Sequence, residues 1–197
     1  PGEYAVSMAL DDDGEITELA GPVLFEVVPL ENTTLPATNR EELVAYQNKV
    51  AELGRNLGGA QQYLNDLIEK VAHIRQAIHN TPAAPKSLAD RAREAAEELE
   101  DIRFTIYGAE AKASWEEIPP QQVPLSYRYR IIGYSHWGST SAPTQTQLEQ
   151  YEILLDEVPP LLGQIKAIDQ DVKEIEEEME KYESPWTPGR FPEIRKN

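Results

Sequence analysis

The sequence predicts a mainly α fold: an antiparallel three- to four-helix bundle with long helices, preceded by a small β ribbon. Three observations lead there. Between residues 41 and 80, apolar residues recur at alternating steps of three and four: Leu43, Tyr46, Val50, Leu53, Leu57, Ala60, Leu64, Leu67, Val71, Ile74 and Ile78. The same rhythm returns from Leu88 to Ile106 and from Leu148 to Tyr182. Residues 3–28 instead alternate with period two, the pattern of strands.

The chain has 197 residues and 40% hydrophobic residues, enough for a sizeable core; a chain of this length buries roughly 70% of its unfolded surface. Its net charge is −17 and unevenly placed: residues 1–31 hold eight acids and no bases, and residues 144–183 hold twelve acids against three bases. With no basic face, nucleic-acid and anionic-membrane partners are not expected, because both need clustered Lys and Arg. No apolar run reaches the roughly 20 residues of a membrane-spanning helix. The absence of Cys excludes disulfides, thiolate metal sites and a cysteine nucleophile.

Residues 1–30 form the β ribbon. Tyr4, Val6, Met8 and Leu10 alternate with small residues, and Asp11-Asp12-Asp13-Gly14 is a turn in which Gly supplies positive φ. The chain returns at Ile16–Leu19, is punctuated at Gly21-Pro22, and alternates again at Val23, Phe25 and Val27. So small a ribbon is marginally stable alone. It is expected either to dock on the helices or to continue a sheet lying upstream.

Residues 31–183 form the bundle. Thr38 or Asn39 caps a first helix of roughly 60 Å, with Glu41 and Glu42 favoured by the dipole of its first turn. Gly54, Gly58 and Gly59 inside it predict close helix approach or a bend. Asn80-Thr81-Pro82 ends it, and Ser87 is expected to cap a second, antiparallel helix that stops at Gly108. Residues 109–143 are an irregular crossing segment. Within it, Pro124 and Ser126 suggest a short helix start, although Leu125, Tyr127, Tyr129 and Ile131 also fit a strand. The last stretch, Thr144–Glu183, places Leu148, Tyr151, Leu155 and Val158 on the seam. Pro159-Pro160 should then kink or split it, and its length suggests an antiparallel partner for the first helix. Residues 184–197 are an irregular tail expected to pack on the bundle.

Motifs with chemistry are weak. Asp11, Asp13 and Gly14 fail as a calcium loop, since Ala9 and Ala20 stand where acids are needed. Gly133-Tyr134-Ser135-His136-Trp137 approaches a nucleophile elbow, but its second Gly comes one place late. His73 and His79 are six apart, whereas metal pairs on a helix sit three or four apart. The run Glu174–Glu178 reads as a solvated helix face, and Asn32-Thr33-Thr34 is a glycosylation sequon. No catalytic residue, metal or cofactor emerges from this reading. The candidate interaction or groove residues are Trp115, Arg128, His136, Trp137 and Trp186.

Four segments carry a resemblance: Pro1-Gly2-Glu3-Tyr4, the connector Pro29–Ala37, the loop Trp137–Thr144 and the tail Ser184–Pro192. Together they resemble the C-terminal region of large bacterial exported proteins with BNR-type or sortilin-like β-propellers, often labelled glycosyl hydrolase or sialidase-like. The resemblance implies an exported, periplasmic or surface setting and an upstream propeller as partner. It also implies that the β ribbon ends an immunoglobulin-like segment. It places any catalysis upstream, leaving this chain a scaffold or interaction module. The alternative is an accessory domain that completes a carbohydrate-binding or glycoside-hydrolysing site. Apart from the resemblance, a third reading is a free-standing coiled-coil adaptor, a homo-oligomer that dimerises through the long continuous seam.

Overall fold

In the computed structural model the described residues are 1–30, 34–114, 116, 118 and 120–190, without the side chains of His136 and Trp137. The chain divides into two compact units, Pro1–Thr38 with Thr140–Ala142, and Asn39–Ser139 with Pro143–Asn197.

The first unit is an antiparallel hairpin of β1 (Gly2–Asp12) and β2 (Glu15–Val27). Asp13 and Gly14 both take positive φ, 48° and 90°, the two-residue turn that matches strand twist. The Asp11 carboxylate accepts the Gly14 N–H at 2.9 Å. Gly21-Pro22 does not end the strand. The register shifts there, between the pairs Val6↔Val23 and Met8↔Ala20, so a bulge accommodates a proline that cannot donate to the ladder. Tyr4 and Phe25 pair across the strands with rings 5.9 Å apart. Glu3 faces Glu26. Every described side chain of the two strands is exposed. The Ala37 N–H donates to the Thr140 carbonyl at 3.2 Å, tying the connector to residues 140–142 of the same unit.

The second unit holds α1 (Arg40–His79), α2 (Lys86–Tyr107), α3 (Leu125–Gly138) and α4 (Gln145–Lys181). All eleven apolar positions of the α1 seam are buried, as are Leu88, Ala92, Ala95, Leu99, Ile102 and Ile106 of α2. From Leu161 to Met179, α4 adds Ile165, Ile168, Val172 and Ile175 to the same core. Asn39 caps α1, accepting from the Glu41 and Glu42 N–H groups at 3.0 and 3.2 Å. Thr144 and Gln147 close a capping box on α4. Ser87 does not cap α2, which starts at Lys86 behind Pro85, two residues earlier than a Ser87 cap would place it, and has no side-chain cap. Gly108, at φ 78°, ends α2.

Helix directions follow from the contacts. Tyr46 meets Gln147, Tyr63 meets Asp169, Lys70 meets Glu176 and Thr81 meets Ser184. Both numbers rise together, so α1 and α4 are parallel, not antiparallel as their matched lengths suggested. The return is made by α2 and α3 in succession, 22 and 14 residues long. Together they form one broken rod against the other two. The bundle is thus up–down–up, and the first and third rods of such a bundle must share a direction.

Two expectations about α4 also change. Its first four turns bury Leu154 and Val158 but leave Leu148 and Leu155 38% and 41% exposed. The seam enters through Gln147 and the expected Tyr151, because the Tyr46 hydroxyl donates to the Gln147 carbonyl at 3.0 Å and its ring meets Tyr151 edge-on at 5.7 Å. Pro159 and Pro160 do not split the helix, which continues through them. Both lie on its exposed side, where water satisfies the carbonyls their missing N–H groups release.

Candidate functional site

The candidate groove residues centre on α3, so its seat matters. Pro124 fixes an extended entry at φ −60° and ψ 147°. Leu125 and Ile132, seven residues apart on one face, are buried at 1% and 0% exposure. Tyr129 lies between them and packs over α1 at Gly54, where an added methyl group would overlap the Tyr129 hydroxyl. Of the three interior glycines, Gly54 therefore marks a close approach. Gly58 and Gly59 have nothing within 4 Å of such a methyl.

Arg128 is half-buried and donates from Nη1 to Gln150 Oε1 at 2.7 Å, tying α3 to α4. Among the described residues its Nε has no hydrogen-bond partner. His136 and Trp137 fall in the last turn of α3, their side chains outside the described set. Trp115 also lies outside the described residues. Trp186 is 57% exposed in the tail, its Nε1 donating to the Arg190 carbonyl at 2.7 Å.

Arg128 and Trp186 do not share one groove. Arg128 meets α4 in its second turn, whereas Trp186 follows the last turn, roughly 50 Å further along the helix axis. The tail is held by small polar groups rather than by Trp186. Ser184 and Thr187 are buried, Ser184 pairs with Thr81 at 3.1 Å, and Arg190 pairs with Glu180.

The outer side of α3 presents Tyr127, Ile131 and Tyr134, 46%, 37% and 77% exposed. The Arg130 guanidinium lies 4.7 Å from the Tyr127 ring centre, a cation–π distance. The helix therefore has apolar groups on both its inner and outer sides, unlike an ordinary surface helix.

A polar tier missed by the sequence reading lies between α1 and α4. Lys70 pairs with Glu176 at 2.6 Å, and Lys173 with Asp169 at 2.6 Å. Asp169 and Glu176 are among the few buried acids, at 9% and 8% exposure. Burial alone would raise the Asp169 pKa. Hydrogen bonds from Lys173 and Tyr63, with the charges of Lys173 and Lys70, outweigh it and hold the carboxyl below its usual value. The two acids stand seven apart at the margin of the α4 seam, a spacing that could have flagged them. Burial, with Tyr151 adding to it, pushes Tyr46 up to about 12.

A groove of about 350 Å³ between α2 and α4 is floored by Ile102 and Ile168 and bordered by Glu98, Asp101 and Asp171. Among the described residues no group of three His, Asp or Glu side chains is placed to hold a metal ion, and no helix is long and apolar enough to cross a membrane. The chain matches no protein-family model, no curated protein and no solved structure.

Proposed function

We propose that this chain is a non-catalytic helical module of an exported propeller protein, acting as a scaffold or interaction domain. The observation that carries the scaffold reading is the shared interior: the seams of α1, α2 and α4 meet in a single apolar cluster. Of the candidate groove residues, Arg128 and Trp186 sit at separate ends of it. Export and the propeller partner rest on the resemblance of the connector, loop and tail segments quoted above.

The second reading is an accessory carbohydrate domain. It is favoured by the exposed Tyr127 and Tyr134 on the helix that also carries Trp137, since exposed aromatic faces suit sugar stacking.

Glycan-array binding and glycoside hydrolysis by the chain and by its Trp137→Ala variant separate the two readings. The scaffold reading expects neither activity. Glycan binding that disappears in Trp137→Ala would replace it with the accessory-domain reading.

A further inference from the structure

We infer that the outer face of α3 is a docking surface for an acidic, apolar segment of a partner protein. The inference deepens the interaction-module reading by naming the partner's chemistry. Three observations carry it.

The first is exposure. Tyr127, Ile131 and Tyr134 project from one helix at spacings of four, three and seven, and Tyr134 is 77% exposed. An ordinary surface helix presents polar groups on its outer side.

The second is composition. Tyr and Arg are enriched among the residues that concentrate binding energy at protein interfaces, Tyr because it brings large area at low entropic cost and Arg because its planar fork binds carboxylates bidentately. Here they are already organised: Arg130 is stacked on Tyr127, which fixes the guanidinium while leaving its N–H edge to bind a carboxylate.

The third is charge. The protein carries 35 acids, yet residues 118–148 contain none, and they contain Arg128 and Arg130. Arg128 is occupied by Gln150. Among the described residues Arg130 has no carboxylate within ion-pairing distance. Elsewhere on the bundle Arg91, Arg93, Arg103 and Arg190 are paired with glutamates, while Arg40, Arg55 and Arg75 of α1, like Arg130, are in no ion pair among the described residues. A helix whose own segment lacks acids and presents a guanidinium unpaired among the described residues, on a chain of net charge −17, complements a negative partner.

A narrow segment can meet this patch without facing the acidic remainder of the chain. An anionic membrane cannot, because it is an extended charged plane that presents its potential to the whole molecule. The segment's aliphatic or aromatic anchors rest on Tyr127, Ile131 and Tyr134, and its carboxylate pairs with Arg130.

The test measures fluorescence anisotropy of the full chain with two short labelled peptides. One alternates Glu with Leu and Phe; the other has Lys in place of Glu. The variants are Arg130→Glu and Tyr134→Ala, both at exposed positions, with circular dichroism and thermal midpoints checked against the parent chain. The Glu peptide is expected to bind, and to bind about tenfold more weakly or worse to each variant. Its binding should also weaken as salt rises from about 0.05 to 0.5 M. Lys-peptide binding that Arg130→Glu weakens as much as Glu-peptide binding would overturn the inference, because the face would then not select negative charge. Glu-peptide binding unaffected by Arg130→Glu, or no binding at all, overturns the inference. Sedimentation showing a dimer that Arg130→Glu dissociates would also overturn it, by making a second copy the occupant. Binding to phosphatidylglycerol vesicles lost in the same variant would do so by making the occupant a membrane.

Discussion

Tyr129 of α3 occupies the space over Gly54 of α1 that a side chain would fill. With buried Leu125 and Ile132 and the Arg128–Gln150 hydrogen bond, this contact holds in place a 14-residue helix without a side-chain N-cap. It makes a specific demand on α1. Gly54→Ala should expel Tyr129 and lower stability by about 1–3 kcal/mol, the cost of overpacking, despite the better helix propensity of Ala. Gly58→Ala and Gly59→Ala, with open space around them, should each raise stability by about 0.5–1 kcal/mol. Urea denaturation of the three variants checks the contrast in sign. Adding Tyr129→Phe, which removes the closest atom, should recover part of the Gly54→Ala loss.

Pro159 and Pro160 are tolerated inside α4 but each removes a helical hydrogen bond. Replacing either with Ala should stabilise the chain by at least about 1 kcal/mol. The ceiling is about 3 kcal/mol, the propensity difference within a helix. Thermal and chemical denaturation read the gain. A loss on replacement would mean that the prolines fit a bend the packing requires.

The Lys70–Glu176 pair is buried, with side-chain exposures of 20% and 10%. Removing one partner strands the other, so Lys70→Met or Glu176→Gln should cost about 2–4 kcal/mol. The double replacement Lys70→Met with Glu176→Leu should be close to neutral or stabilising, because both desolvation penalties vanish. A double-mutant cycle in denaturant gives the coupling directly.

Two groups predict pH dependence at opposite limits. Asp169 holds its proton less tightly in the folded state. Its contribution is therefore present above the unfolded value near pH 4 and is lost as pH falls through the lower folded value. Tyr46, pushed up to about 12, holds its proton more tightly when folded. Its contribution is full below about pH 10, the unfolded value, and is lost as pH rises toward about 12. Denaturation midpoints against pH should show a shallower acid limb in Asp169→Asn and a shallower alkaline limb in Tyr46→Phe.

The legible parts of the fold are those where apolar spacing alone decides burial. The rows from Leu43 to Ile78 and from Leu88 to Ile106 could be read directly, because each step lands on a residue whose only favourable place is inside. The start of α4 could not. Its seam passes through Gln147, held by a backbone contact from Tyr46, so a reading of apolar residues moved to Leu148 and Leu155 instead. Helix direction was hidden too, since it depends on whether residues 109–143 cross the bundle or travel along it. Of the candidate groove residues, Arg128 and Trp186 were chosen by type, and only three-dimensional placement reveals that they lie at separate ends. The Tyr127–Arg130–Ile131–Tyr134 face was present in the sequence as four residues on one helix side. Its exposure followed only once Leu125 and Ile132 had claimed the inner side.

The parallel arrangement of α1 and α4 has a kinetic consequence. Tyr46 and Gln147 are separated by 101 positions, whereas α1 and α2 are joined by a connection of a few residues. Closing a longer loop carries a higher entropic barrier, growing as about (3/2)RT ln n. Assembly should therefore begin with the α1–α2 hairpin, and α4 should dock last, onto a partly formed template. Its contacts with Tyr63 and Lys70 then act late, as a check on register after collapse. Substitutions there should accelerate unfolding while leaving the refolding rate almost untouched.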